Sequence, residues 1–164
     1  MISMQMNIGG LERFVKSVDQ AAIGDVTDAV RFIARKLLIK ILERMPVKTG
    51  RARAGWKQAG VALGVAVPDA IVGASQAGDS RFQERWEGMK FVVEMANGVP
   101  YVLHLEYGLS PQAPLGMVRV SILEVVMDSN LGRDIEDRLK QSWAALSVSE
   151  RYQQHVAEFN QMVA

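Results

Sequence analysis

The chain has 164 residues, 49% hydrophobic and 23% charged, with no cysteine and a formal net charge of +1. That length suits one domain with enough buried apolar surface to fold without a metal or disulfide. The missing cysteines exclude disulfide scaffolds, thiol nucleophiles and thiolate metal sites. The longest apolar runs fall far short of the ~20 residues of a membrane span, and residues 1–5 lack the features of a secretory signal. A soluble protein made in a reducing cytoplasm, with no membrane contact, is therefore expected.

Charge is unevenly distributed. Residues 1–56 carry ten basic against five acidic side chains, and the remainder nine against thirteen. The sharpest block is 35–57, where Arg35, Lys36, Lys40, Arg44, Lys48, Arg51, Arg53 and Lys57 stand against Glu43 alone. Such a block is either a solvated helix end with its loop or a surface for an acidic partner or nucleic acid.

In chain order, Ile2, Met4, Met6 and Ile8 alternate with polar residues, the period of a half-buried strand, before Gly9 and Gly10 break it. Leu11, Phe14, Val15 and Val18 have helical spacing, and Gly24 interrupts. Residues 25–45 form the clearest helix, with a stripe of Val26, Val30, Ile33, Leu37 and Ile41 flanked by Ala29, Ala34 and Leu38. Asp25 and Asp28 near its start suit the helix dipole, as do Lys40 and Arg44 near its end. Pro46 stops it, because the residue before a proline is pushed out of the helical region. A turn at Lys48, Thr49 and Gly50 then leads into a strand ending at Trp56. The Gly- and Ala-rich stretch 59–80 reads as an irregular strand pair or an ordered loop.

Residues 81–90, with Phe82, Trp86 and Met89, read as a short helix or an extended loop. Residues 91–96 read as a strand, closed by the Asn97-Gly98 turn signal. A short helix over 101–107 ends at Gly108, which accepts a left-handed cap, and a proline-bounded loop follows. Residues 115–127 fit either helix or strand, and their length favours helix. Residues 131–146 form an amphipathic helix with supporting Asp134–Arg138 and Glu136–Lys140 pairs. Ser149 caps a last amphipath along Tyr152, His155/Val156, Phe159 and Val163. These readings give a small α+β protein. An antiparallel sheet packs on the long helix in a core of 1–147, and a helical appendage covers 148–164.

No nucleotide-binding glycine loop, zinc-protease motif or hydrolase elbow is present, and neither a cofactor nor a metal is expected. His104-Leu105-Glu106 matches part of a zinc-deaminase signature, but that signature requires cysteines. His104, Ser110 and Glu106 lie within seven residues, whereas triads draw on separate elements. His155 on its apolar stripe reads as a core or interface histidine. No catalytic role is expected.

Two segments carry a resemblance. Pro46-Val47-Lys48-Thr49-Gly50-Arg51-Ala52-Arg53-Ala54-Gly55-Trp56 follows the long helix, and Asn97-Gly98-Val99-Pro100-Tyr101-Val102-Leu103-His104-Leu105-Glu106-Tyr107-Gly108 precedes Ala113-Pro114. Their order over residues 10–127 resembles the tail-completion and head–tail joining proteins of tailed double-stranded DNA bacteriophages. Thr49, Gly50, Arg53 and Trp56 match the first family segment, and Tyr101, Glu106, Tyr107 and Gly108 the second. Val102 stands where the family has a small residue.

The resemblance implies a structural virion protein of the phage neck. It would form a ring, six-fold in the family, contact other neck and tail proteins, and move from the host cytoplasm into the particle. A tail terminator or minor tail protein of the same general fold, or a cytoplasmic nucleic-acid-associated regulator, is the alternative. Candidate interface residues are Trp56, Tyr101, Glu106, Tyr107, Tyr152 and Phe159, with Glu106 paired to Arg51 or Arg53. The residues Lys40, Arg44, Lys48, Arg51, Arg53 and Lys57 would face an acidic neighbour or line a channel through which DNA passes. The 149–163 segment would dock on an adjacent copy or another neck protein.

Overall fold

A computed structural model describes residues 2–5, 20–69, 80–88 and 90–145. The elements in chain order are β1 (Ile2–Gln5), α1 (Gln20–Arg44), α2 (Arg51–Ala54), α3 (Lys57–Leu63), β2 (Arg81–Glu87), β3 (Lys90–Asn97), α4 (Val102–Glu106), α5 (Val118–Met127) and α6 (Leu131–Ala145). The chain divides into two compact units, Met1–Asp128 and Ser129–Ala164. The rest of the 2–8 strand, the 11–18 helix and the 149–163 amphipath lie outside the described residues, as do Tyr152, His155 and Phe159.

In the first unit a three-stranded antiparallel sheet, ordered β1-β3-β2, meets the long helix, so the fold is α+β. β3 is central and buried on both faces, as its nearly unbroken run Phe-Val-Val-Glu-Met-Ala implies. The face with Phe91, Val93 and Met95 continues on β2 as Trp86, Glu84 and Phe82. Arg31 of α1 reaches this face, donating from Nε and Nη2 to the Glu84 carboxylate at 2.9 and 2.5 Å. On the other face Arg85 bridges to Glu94 at 2.9 Å.

α1 buries Val26, Val30, Ala34, Leu37, Leu38, Ile41 and Leu42, so its core stripe lies on the Ala34/Leu38 side of the expected one. Gly24 does not interrupt it. The helix begins at Gln20 and runs through this exposed glycine, where an added Cβ would touch nothing. A lone glycine costs an exposed helix only about 1 kcal/mol, and packing of the apolar face outweighs that. Asp25 and Asp28 consequently lie beyond the first turn, which holds no acid.

Two further expectations are corrected. Residues 51–56 form no strand: α2 and then α3 follow the left-handed Gly50. Ala52, Ala54, Gly55 and Trp56 are buried, and Arg51 and Arg53 are half-buried. Stretch 59–80 is likewise helical as far as Leu63, ending on the left-handed Gly64.

Residues 81–87, expected as helix or loop, are strand β2. Phe82 and Trp86 are four apart, a spacing that keeps two residues on one face in either structure. Pairing with β3 decides between them. Trp86 sits opposite Phe91 with ring centroids 5.2 Å apart, and Gly88, at φ 62°, lies in the two-residue connection between the strands.

α5 and α6 form as expected. α5 packs on α1, and Lys36–Asp128 (3.1 Å) and Arg44–Glu124 pairs span the two helices. In the second unit the expected Glu136–Lys140 pair closes at 2.5 Å along α6. It lowers the carboxyl pKa and raises that of the ammonium, chiefly through their hydrogen bond.

Candidate assembly surface

The two motif segments meet at Asn97, the last residue of β3 and fully buried. Its Nδ2 donates to the Ala52 carbonyl at 2.8 Å, and its Oδ1 accepts the Val99 N–H at 3.1 Å. Asn97-Gly98 thus joins the strand to α4, the strand-to-helix turn expected there. Gly55 packs directly on the Asn97 amide, leaving no room for a Cβ. Gly55→Ala is expected to lower stability by about 2–4 kcal/mol, since the buried amide must give up its partners or its position. Urea unfolding measures this, and a change under about 0.5 kcal/mol, the ordinary surface range, would refute the junction.

Glu106 organises the second segment. Its carboxylate accepts the backbone N–H groups of Met117 (2.9 Å), Val118 (2.7 Å) and Arg119 (3.0 Å), and the Arg119 Nε at 3.0 Å. α5 has no side-chain cap of its own. A remote carboxylate satisfies its first free donors and complements its dipole. Burial pushes the Glu106 pKa up, but the three backbone donors and Arg119 outweigh it and hold the group below the ordinary glutamate value. The expected pairing of Glu106 with Arg51 or Arg53 is thus replaced by Arg119. An interface role for Glu106 is replaced by a structural one, because a 6% exposed carboxylate with filled acceptors has nothing to offer a neighbour. His104 is exposed on α4 and makes no hydrogen bond with this carboxylate.

Two glycines complete the clamp. Gly108 (φ 77°) lies against the Pro114 carbonyl, and Gly116 (φ 83°) against the Glu106 carbonyl and carboxyl. Val102 is fully buried, so a larger apolar residue is accommodated at that departure from the family pattern.

Trp56 is 1% exposed and belongs to the core, which removes it from the candidate interface. Its indole Nε1 is buried without a hydrogen-bond partner, as are Arg53 Nε and Ser121 Oγ. Tyr101 is partly exposed. Tyr107 is well exposed and carries the Arg119 guanidinium over its ring at 5.5 Å.

A surface that sequence reasoning missed extends from there. Tyr107, Leu109, Leu115, Leu123, Val126 and Met127 are each between 56% and 78% exposed. Gly108 abuts Pro114, which brings the 107–109 and 114–115 stretches together. Along α5, Arg119, Leu123 and Val126/Met127 follow at helical spacing. Meanwhile Ser121 is fully buried on the opposite side of α5. α5 therefore buries a serine and exposes an apolar face of Leu123, Val126 and Met127, the kind of patch that is rare on an isolated chain. The available signal was an α5 sequence apolar nearly all round, the pattern of a helix covered on more than one side.

The basic block does not form one cationic surface. Lys40 pairs with Glu43 (3.1 Å), Arg44 with Glu124 and Lys57 with Asp69. Arg53 is half-buried and donates to the Met45 carbonyl at 3.3 Å. Arg51 also has a partner, whereas Lys48 is exposed and has none among the described residues.

Among the described residues, no group of three or more His, Asp or Glu is placed to hold a metal, and no helix is long and apolar enough to cross a membrane. Comparison with protein-family models, curated proteins and solved structures returns no match.

Proposed function

We propose that this chain is a structural subunit of a tailed bacteriophage particle, completing the tail end and joining tail to head as one copy in a ring. The order of the two motif segments supports the assignment, and the exposed apolar arc from Tyr107 to Met127 carries it. Such an arc is costly on an isolated chain and useful to a subunit, where a patch on one copy meets a different patch on the next and the contacts close. Much of the basic 35–57 block is then paired within the fold. Its internal carboxylate partners weigh against a DNA-binding regulator, which needs several free cations along the phosphate backbone.

Electron microscopy of lysates from a phage with an early stop codon in this gene tests the reading. Filled heads beside separate, otherwise normal tails are expected, and intact infectious particles would refute it. Supplying the protein from a plasmid tests the surface. The wild-type chain restores joined particles, whereas the folded triple variant Leu123→Lys, Val126→Lys, Met127→Lys leaves heads and tails apart. Full complementation by that variant would refute the arc as the contact.

A further inference from the structure

Pro46, Lys48, Thr49, Gly50 and Ala52 form one wall of a cleft of about 240 Å³, and Tyr101, Leu105, Ser110 and Gln112 the other. The two motif segments thus enclose it. Each of its polar side chains can donate a hydrogen bond. Lys48 has no carboxylate partner among the described residues. Thr49 Oγ1 and Ser110 Oγ each accept a backbone N–H, from Arg51 at 3.5 Å and Gln112 at 3.3 Å, leaving both hydroxyl protons to donate. The Tyr101 hydroxyl and the Gln112 side-chain amide likewise have no hydrogen-bond partner among the described residues. No acidic side chain among the described residues lines the cleft, and Pro46, Ala52 and Leu105 supply apolar contact for a short aliphatic stem.

We propose that this cleft binds an acidic side chain, glutamate above all, presented by an extended segment of a partner protein. Donors with no competing carboxylate define an anion site. The volume is below the ~300–1,000 Å³ of small-molecule and cofactor pockets and suits one or two side chains. A lone unpaired lysine matches one carboxylate rather than the run of phosphates that a nucleic-acid strand presents. The walls are pre-set by Gly50, at φ 72°, and by the Asn97 bridge to Ala52, so little ordering cost accompanies entry. This site stands independently of whether the chain forms rings.

The test is a ¹H–¹⁵N titration of the full-length chain with a blocked pentapeptide bearing a central glutamate, its glutamine counterpart, inorganic phosphate, and a short single-stranded oligonucleotide. The glutamate peptide is expected to shift amides of 46–52 and 101–112. The glutamine peptide should bind at least about tenfold more weakly, as should the glutamate peptide to Lys48→Gln or Ser110→Ala. Both substitutions are away from the core, and unchanged spectra elsewhere verify their folds. Equal binding of the two peptides, unaltered affinity in both variants, shifts centred elsewhere, or no shift up to about 10 mM would each overturn the proposal. Phosphate or oligonucleotide shifting the same amides more strongly than the peptide would overturn it in favour of a bare anion or nucleic-acid site.

Discussion

Glu106→Gln is expected to lower the unfolding free energy at pH 7 by about 2–4 kcal/mol, from lost charge-assisted bonds and a lost helix cap. Glutamine presents one acceptor and two donors to three N–H groups and a guanidinium, so part of the cluster is left unsatisfied in a buried place. The variant should also lose acid sensitivity. Because the folded-state pKa of Glu106 is depressed, its stabilising effect is complete above the unfolded glutamate value of about 4.3 and fades as pH falls through the lower folded value. Wild type and variant should therefore converge in stability on acidification from pH 6 towards about pH 3. Urea unfolding followed by tryptophan fluorescence in a Trp143→Phe background reports on Trp56 and Trp86, both within the first unit. A stability gap independent of pH would show that the carboxylate charge does not hold α5.

Gly116→Ala and Gly108→Ala should each lower the unfolding free energy by about 3 kcal/mol or more. Two costs combine. At φ 83° and 77° an L side chain is strained, and the added methyl enters space held by a backbone carbonyl, of Glu106 or Pro114 respectively. Backbone carbonyls cannot swing away as the end of a flexible side chain can. Gly64→Ala and Gly88→Ala provide the control, because both positions have positive φ but open space. They should cost only the backbone strain, about 1 kcal/mol. Equal losses at all four sites would mean that conformation alone, and not the close approach of 108 to 114 and 116 to 106, sets the requirement for glycine. If Gly116→Ala and Glu106→Gln act on the same clamp, their effects combined in one chain should fall short of the sum.

The long helix, the central strand and α4 to α6 were legible because local pattern and tertiary environment agree. α1 has one apolar stripe and a proline stop, β3 an apolar run, and Gly108 a backbone demand that glycine alone meets readily. The α+β class follows from these elements alone. What the sequence could not determine depends on partners distant along the chain. Phe82 and Trp86 share a face in helix or strand, and only pairing with Phe91 and Met95 makes β2 a strand. Arg51 to Trp56 do not extend, because Ala52 and Gly55 pack against the Asn97 amide.

Glu106 shows the same division most plainly. Its segment singled it out, but its role depended on which donors the fold brought to it. Eleven to thirteen residues further on, α5 presents three uncapped amides and an arginine that no spacing rule ties to Glu106. The basic block was open to two readings in the sequence for a related reason. Counted along the chain it is an excess of positive charge, but folding sets Glu124 beside Arg44 and Asp128 beside Lys36. Charge along a sequence is additive, whereas charge on a surface depends on what packs against it. That is why the apolar arc on α5 and the donor-lined cleft at Lys48 emerged only from the tertiary structure.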